Sequence, residues 1–341
     1  MKTVLYSPTP QAMEECGALL RQGELVCFPT ETVYGLGANA MDPNAVADIF
    51  KVKNRPANNP LIAHICDLTM LGDLAEEVPA EIKELVDQFW PGPLTVIFRR
   101  RPAIPAVISA GLSTVAVRWP EHPVAQELIR AAGVPVVAPS ANLSGRPSPT
   151  CLAHCKEDLE GKIAAIIDGG SCSIGLESTV VLPLGGRKLK LLRPGGITPE
   201  MLEAVGYSVE IDPAVLAPVQ EGAEVSSPGM LYKHYAPIAP LTIVTGEPEA
   251  VTAAIRQKEQ DGVWVLAFDE YKDCFRQTVS FGSIKDPASQ SRALFDALRQ
   301  FDTLPCQKIY AMYPNGDGVG LAIRNRLLRA AGFQIIPAER L

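Results

Sequence analysis

Leu25-Val26-Cys27-Phe28-Pro29 reads as a buried strand, four apolar residues in a row closed by a proline that cannot donate to a ladder. The turn-prone Asp42-Pro43 then opens a helix to Lys53, with Val46, Ile49 and Phe50 at helical spacing. A second apolar run, 61–65, follows. Strand, helix and strand in that order begin a mixed α/β domain, and the alternation continues outward. Runs at 94–98, 114–118, 134–138, 164–167, 179–182 and 189–192 predict strands, while 80–90, 122–132 and 198–205 predict helices. Their irregular order fits no simple βαβ repeat.

From 207 to 240 the texture changes. Prolines 213, 218, 228, 237 and 240, with Gly222 and Gly229, break any regular element and predict a linker or an ordered loop. Beyond it, strand patterns at 241–244, 262–268 and 308–312 alternate with helical ones at 247–258, 287–301 and 320–331. That rhythm predicts a small, open parallel sheet. The expected organisation is a first domain over 1–206, a linker over 207–240 and a second domain over 241–341.

Composition narrows the function. At 341 residues, 47% hydrophobic and 20% charged, the chain has enough apolar material for two cores. A net charge of -7 argues against a protein that grips nucleic acid over its whole surface, though a local basic groove is compatible with it. No apolar run is long enough to span a membrane, and the N-terminal residues lack a secretory pattern, so a cytoplasmic location is expected. Eight cysteines without a C-x-x-C pair suit a reducing compartment better than a disulfide scaffold.

Several signatures are absent: the G-x-x-x-x-G-K-S/T phosphate loop, the H-E-x-x-H zinc helix and the G-x-S-x-G elbow. Gly35-Leu36-Gly37 imitates a dinucleotide fingerprint only loosely, because no helix pattern begins before Pro43. Gly316, Gly318 and Gly320 fit a plain loop-to-helix turn better than an anion cradle. Cys151, His154 and Cys155 would share a helix face, but a structural zinc needs a fourth ligand that the sequence does not supply, so no metal site is expected.

Two stretches carry more information. Lys51-Val52-Lys53-Asn54-Arg55-Pro56-Ala57-Asn58-Asn59-Pro60 ends one helix and leads into the strand bearing His64. Its cations could simply complement the helix dipole, or serve as the point charge and planar fork that a polyphosphate requires. Pro139-Ser140-Ala141-Asn142-Leu143-Ser144-Gly145-Arg146-Pro147-Ser148 is a hydroxyl-rich loop at a strand end, where α/β folds place ligand groups, although a proline-stiffened turn would look the same. Glu177-Ser178-Thr179 and Leu192-Arg193-Pro194-Gly195 repeat the theme, while Arg118 at the end of a strand is expected to be exposed. This polar, cationic inventory lacks an obvious acid/base pair and suits a ligase or nucleotidyl transferase, in which the enzyme supplies position and charge.

Phe28-Pro29-Thr30-Glu31-Thr32-Val33-Tyr34-Gly35-Leu36-Gly37, Lys53-Asn54-Arg55 and Ser140-Ala141-Asn142, in that order, resemble the YrdC/Sua5 family of L-threonylcarbamoyladenylate synthases. The resemblance continues through Asp168-Gly169-Gly170, Glu177-Ser178-Thr179 and Leu192-Arg193-Pro194-Gly195. It then covers 228–237 and 320–326, which selects the two-domain Sua5 form; the Cys151–Cys155 segment is not part of it. It implies a twisted first domain with a concave, electropositive cleft and a Rossmann-like second domain, joined by a linker that covers the active site. The implied reaction joins L-threonine, bicarbonate and ATP, with Mg2+, into threonylcarbamoyl-AMP and pyrophosphate. The product would serve the t6A modification of tRNA, with tRNA and t6A transferase proteins as further partners.

Carried over by motif, the threonine site would comprise Thr32, His64, Arg118, Ala138 and Ser178. The ATP site would comprise Lys53, Arg55, Asn59, Thr114, Ser140, Asn142, Ser148, Arg193 and Tyr232, with Lys53 and Arg55 as the catalytic cations. The proline-rich segment would then act as a lid, Tyr232 closing over the nucleotide. The competing expectation is an RNA-binding or regulatory module using the same basic cleft. Carbamoyl transfer, as in hydrogenase maturation proteins with a related domain, is a third; the chain lacks their acylphosphatase and zinc-finger segments.

Overall fold

The computed structural model describes residues 2–218 and 234–341. The first domain's strands are β1 (Val4–Tyr6), β2 (Val26–Phe28), β3 (Gly35–Asn39), β4 (Ile62–His64), β5 (Leu94–Arg99) and β6 (Thr114–Arg118), followed by β7 (Val136–Val137), β8 (Ala165–Ile167), β9 (Thr179–Gly185), β10 (Lys188–Arg193) and β11 (Ser208–Ile211). Its helices are α1 (Pro10–Arg21), α2 (Pro43–Lys53), α3 (Leu68–Leu74), α4 (Ala80–Phe89), α5 (Pro123–Ala132), α6 (Leu152–Leu159) and α7 (Pro199–Ala204). The strands form one mixed sheet in the order β1-β8-β2-β3-β7-β4-β6-β5-β9-β10-β11.

Alternation along these strands decides where a site can form. Cys27, Leu36, Ala38, Ala63, Val96, Val117, Val137, Val181 and Leu191 share one face and enter the main core beneath the whole sheet. On the opposite face, Val26, Phe28, Val136, Ala165 and Ile167 are covered by α1 and α5. Those two helices approach closely because Gly17 has no side chain; a Cβ there would stand 2.6 Å from the Ala131 carbonyl carbon. Farther along the same face, none of the described helices of the first domain covers β4, β6, β5, β9 and β10. Among the described residues a small cluster of Ile62, Ile97, Ala116, Val180 and Leu192, with Leu182 against it, lies there beside the polar His64, Thr95 and Arg118.

The second domain consists of β12 (Leu241–Thr245), α8 (Pro248–Arg256), β13 (Val263–Ala267), β14 (Thr278–Ser280), α9 (Pro287–Gln300), β15 (Lys308–Met312), α10 (Gly320–Ala330) and β16 (Ile335–Pro337). Its sheet runs β14-β13-β15-β12-β16 with every pair parallel, as the strand–helix rhythm predicts. Two helices fasten it to the first domain. From α9, the buried Arg299 donates to the Pro147 carbonyl at 2.7 Å and to Asp158 of α6 at 2.6 Å. From α10, Asn325 and Arg329 donate to the carbonyls of Val215 and Ala214 at 2.6 and 2.7 Å.

One boundary differs from the sequence reading. The first sheet continues through β11, inside the range 207–240, and pairs in parallel with β10. A short 3-10 turn, Pro213–Val215, follows, and Tyr207 and Val215 join the main core. The prolines there begin only after the last strand has closed, so proline content marked the segment without marking its start. Tyr232, expected to close over the nucleotide, lies outside the described residues.

Candidate active site

Register across three adjacent strands places the polar residues in a row. His64 of β4 is the parallel partner of Arg118 of β6, and Arg118 is the antiparallel partner of Thr95 of β5. Thr95 Oγ1 lies 2.7 Å from Ser178 Oγ at the entry to β9. All four sit on the face left open by the helices; His64, Arg118 and Ser178 line the floor of a hollow, and Thr95 lies buried beneath Ser178. Arg118 corrects the expectation of an exposed strand-end arginine: it is 3% exposed. Its Nη1 donates to Thr32 Oγ1 at 2.7 Å, its Nε to the Gly92 carbonyl at 3.2 Å, and its Nη2 pairs with Glu31 at 2.5 Å. Burial, reinforced by the Arg118 charge, pushes His64 down to about 3, so its ring is neutral at physiological pH.

The cations on one wall depend on how α2 ends. Lys53 is the last helical residue and Asn54 caps the helix in the left-handed conformation, φ 50°. That turn brings Arg55 to the same cavity as Lys53. The Lys53 ammonium donates to the carbonyls of Ser140 and Asn142, and the Lys53 carbonyl accepts from Ser144 N at 2.9 Å. Lys53 therefore clamps the hydroxyl-rich loop as well as lining the hollow. Burial, then the neighbouring Arg55 charge, lowers it to about 7. Arg55 donates to the Pro60 carbonyl at 3.1 Å, and its Nε has no partner among the described residues. Within the clamped loop, Ser140 Oγ donates to Asn142 Oδ1 at 2.5 Å.

The remaining wall holds Arg193. A Cβ on Gly195 would stand 2.4 Å from Thr179 N and 2.5 Å from the Glu177 carbonyl, so glycine alone permits this approach to the Glu177-Ser178-Thr179 backbone. Arg193 donates through Nε to the Ser178 carbonyl and through Nη2 to Ser178 Oγ, each at 3.0 Å. Burial, then Arg326, lowers Arg193 to about 10, which leaves it charged.

The cavity encloses about 750 Å³ of unfilled space, its open mouth included. Thr32, Lys53, Arg55, His64, Arg118, Ala138, Ser140, Asn142, Ser178 and Arg193 all line it, as the motifs imply. Three predicted residues do not. Ser148 is fully buried behind the wall and donates to Glu177. Asn59 is buried beside Arg55, which reaches its carbonyl at 3.4 Å. Thr114 stands at the far end of β6, about 13 Å along the strand from Arg118. Glu31, Thr95, Glu177, His234 and Tyr235 were given no role from sequence; Glu31, Glu177, His234 and Tyr235 lie in quoted motifs, whereas Thr95 carries no local mark.

The cations bear on the RNA-binding alternative. Lys53 and Arg193 are 2% and 7% exposed, within a hollow rather than along a surface that could track a phosphate backbone. His154, weighed as a zinc ligand, accepts from Thr150 N and pairs with Asp296 of α9 at 3.1 Å.

A family profile described as "Telomere recombination" matches residues 18–195, and one described as "Threonylcarbamoyl-AMP synthase, C-terminal domain" matches 197–332. The threonylcarbamoyl-AMP synthase of Bacillus subtilis is 46% identical over 337 residues, 97% of this chain and 96% of that protein. The chain belongs to the Sua5/YrdC family. Two solved structures of Pyrococcus abyssi Sua5 share both domains with this family member. A double-alanine variant superposes with a TM-score of 0.90 at 40% identity, and a complex with L-threonine with 0.88 at 41% identity; each covers 98% of both chains.

Proposed function

We infer that the chain is a threonylcarbamoyl-AMP synthase: L-threonine, bicarbonate and ATP go in, threonylcarbamoyl-AMP and pyrophosphate come out. The observation that carries this reading is one hollow holding two kinds of binding group. A row of His64, Arg118 and Ser178, the last held by Thr95 from beneath, lies beside the cations Lys53, Arg55 and Arg193. The first set suits a small zwitterion with a hydroxyl, the second a polyphosphate. The similarity to the Bacillus subtilis synthase over nearly the full length of both proteins supports the same conclusion.

Threonine's amine attacks CO2 derived from bicarbonate and loses a proton, giving a carbamate. A carbamate oxygen then attacks the α-phosphorus of ATP; the new O–P bond forms as the bond to the β-phosphate oxygen breaks, and pyrophosphate leaves. Two anions must meet, and two unit charges 4 Å apart repel by about 4 kcal/mol at an effective dielectric of about 20. Lys53, Arg55 and Arg193 would offset that term, while Arg118 would receive the threonine carboxylate. Thr32 and Ser178 would orient the hydroxyl and amine, so that an amino acid lacking the hydroxyl leaves a buried bond unmade.

The donor set does not fit a magnesium ion held by the protein. Both oxygens of the Glu177 carboxylate in the cavity are engaged, by Ser148 and Arg326, and no cluster of three metal-binding side chains occurs among the described residues. Magnesium belongs in this reading to the incoming nucleotide, as Mg-ATP. Delivery of the product to t6A transferase proteins and tRNA, and work in the cytoplasm, complete the proposal; no helix among the described residues is long and apolar enough to cross a membrane.

The deciding experiment is mass detection of threonylcarbamoyl-AMP from purified protein, ATP, bicarbonate and threonine. Product that depends on all three supports the reading; ATP turnover without threonine dependence, or no product, refutes it.

A further inference from the structure

Glu177 immediately precedes Ser178 and lines the cavity at 6% exposure. Its Oε1 accepts from Ser148 Oγ, and its Oε2 accepts from Arg326 Nε at 2.7 Å. Arg326 comes from α10 of the second domain and is completely buried; its Nη2 also reaches the Glu177 carbonyl at 3.4 Å, and its guanidinium sits 5.8 Å from the Tyr235 ring centre. The ion pair therefore joins residues 149 positions apart, across the domain boundary, at the wall of the site.

Burial alone would push Glu177 up, but the Arg326 and Arg193 charges outweigh it and hold the carboxyl below its usual range. An ionised carboxylate is a liability in a hollow built to gather anions. Uncompensated, it would repel phosphate oxygens and draw the Arg193 guanidinium toward itself. With Arg326 in place, Arg193 spends its Nε and Nη2 on Ser178 instead.

We propose that Arg326 is a positioning residue of the active site: by neutralising Glu177 from the second domain, it keeps Arg193 available to the triphosphate. The nucleotide side of the first-domain hollow is then electrostatically complete only while α10 is docked. This inference rests on the reading of the hollow as the ATP site.

The test uses full-length protein with threonylcarbamoyl-AMP formation as the readout. Arg326→Gln should raise the KM for ATP by about tenfold or more while the KM for threonine moves by less than about threefold. Adding Glu177→Gln to that variant should bring the ATP KM back to within about threefold of the parent, because the charge needing neutralisation has gone. A purely structural clasp predicts no such selective return. Should Arg326→Gln fail to fold, as circular dichroism would reveal, Glu177→Gln alone decides: the proposal expects a lower ATP KM, and a raised one overturns it. An unchanged ATP KM in folded Arg326→Gln, or a double variant no better than the single, also overturns it. If the parent protein makes no product at all, the reading of the hollow fails instead.

Discussion

ATP binding above neutral pH should draw a proton onto Lys53. In the empty site, burial and Arg55 lower this amine to about 7. At pH 8 only about one molecule in eleven then carries the charge. Neutrality is compatible with its contacts, since an uncharged amine still has two N–H bonds for the carbonyls of Ser140 and Asn142. Phosphate oxygens beside the nitrogen favour the charged form and would return it toward its ordinary value of about 10.4. Binding at pH 8 should therefore take up about 0.9 protons. The sign follows: a pKa raised by the ligand means affinity is pH-independent below the empty-site value and lost above it. From pH 8 to pH 9 the loss should be about tenfold, or about 1.4 kcal/mol. Calorimetric titration with ATP at pH 8, in buffers of different ionisation enthalpy, reads the proton number directly. Lys53→Met should abolish it. Uptake below about 0.2 protons in the unmodified protein would refute the electrostatic reasoning.

Arg118→Lys keeps the charge but gives up the fork that holds Thr32, Glu31 and the Gly92 carbonyl together. With charged hydrogen bonds contributing about 1.5–3 kcal/mol each, kcat/KM for threonine should fall about 100-fold, and a drop below about threefold in steady-state kinetics would contradict the role. Gly195→Ala must displace the backbone on either side of Ser178; turnover should drop more than about tenfold, and parental turnover would show that the close approach is dispensable. Arg299→Ala leaves the buried Asp158 with Arg146 as its remaining guanidinium partner. Denaturant unfolding should register a loss of about 3–5 kcal/mol, whereas less than about 1 kcal/mol would mean that α9 docks largely through other contacts.

Eight strands of the first domain could be read because each presents apolar residues to at least one covered face, and a run such as Leu25-Val26-Cys27-Phe28 has both faces covered; β1 and β11, largely exposed, were not read. What escaped was written in small or sparse residues. Gly35-Leu36-Gly37 was weighed only as a loose dinucleotide fingerprint, yet it belongs to β3, where a Cβ on Gly37 would come within 2.9 Å of the Phe28 ring. Helix α1 buries Met13 and Leu20 but fills the rest of its buried face with Ala12, Cys16 and Gly17, so its apolar stripe is broken by small residues. β14 and β16 are three-residue edge strands, each paired on one side. In the site, Lys53 and Arg55 were conspicuous because charges seldom crowd a turn before a buried strand. The family motif placed Arg118 in the site, but its strand-end setting alone suggested exposure, because its burial depends on Glu31 and Thr32, some 86 residues distant for the latter. The tail motif marked Arg326, but nothing near it in the chain reveals that its partner is Glu177.

The left-handed cap at Asn54 has a consequence for which side chains that position can carry. Asparagine and glycine enter this conformation cheaply, whereas valine or isoleucine would have to straighten it. Straightening would swing Arg55 away from Lys53 and part the two cations without removing either. A substitution at an exposed residue that contacts no substrate would then masquerade, in any kinetic screen, as the loss of a phosphate ligand.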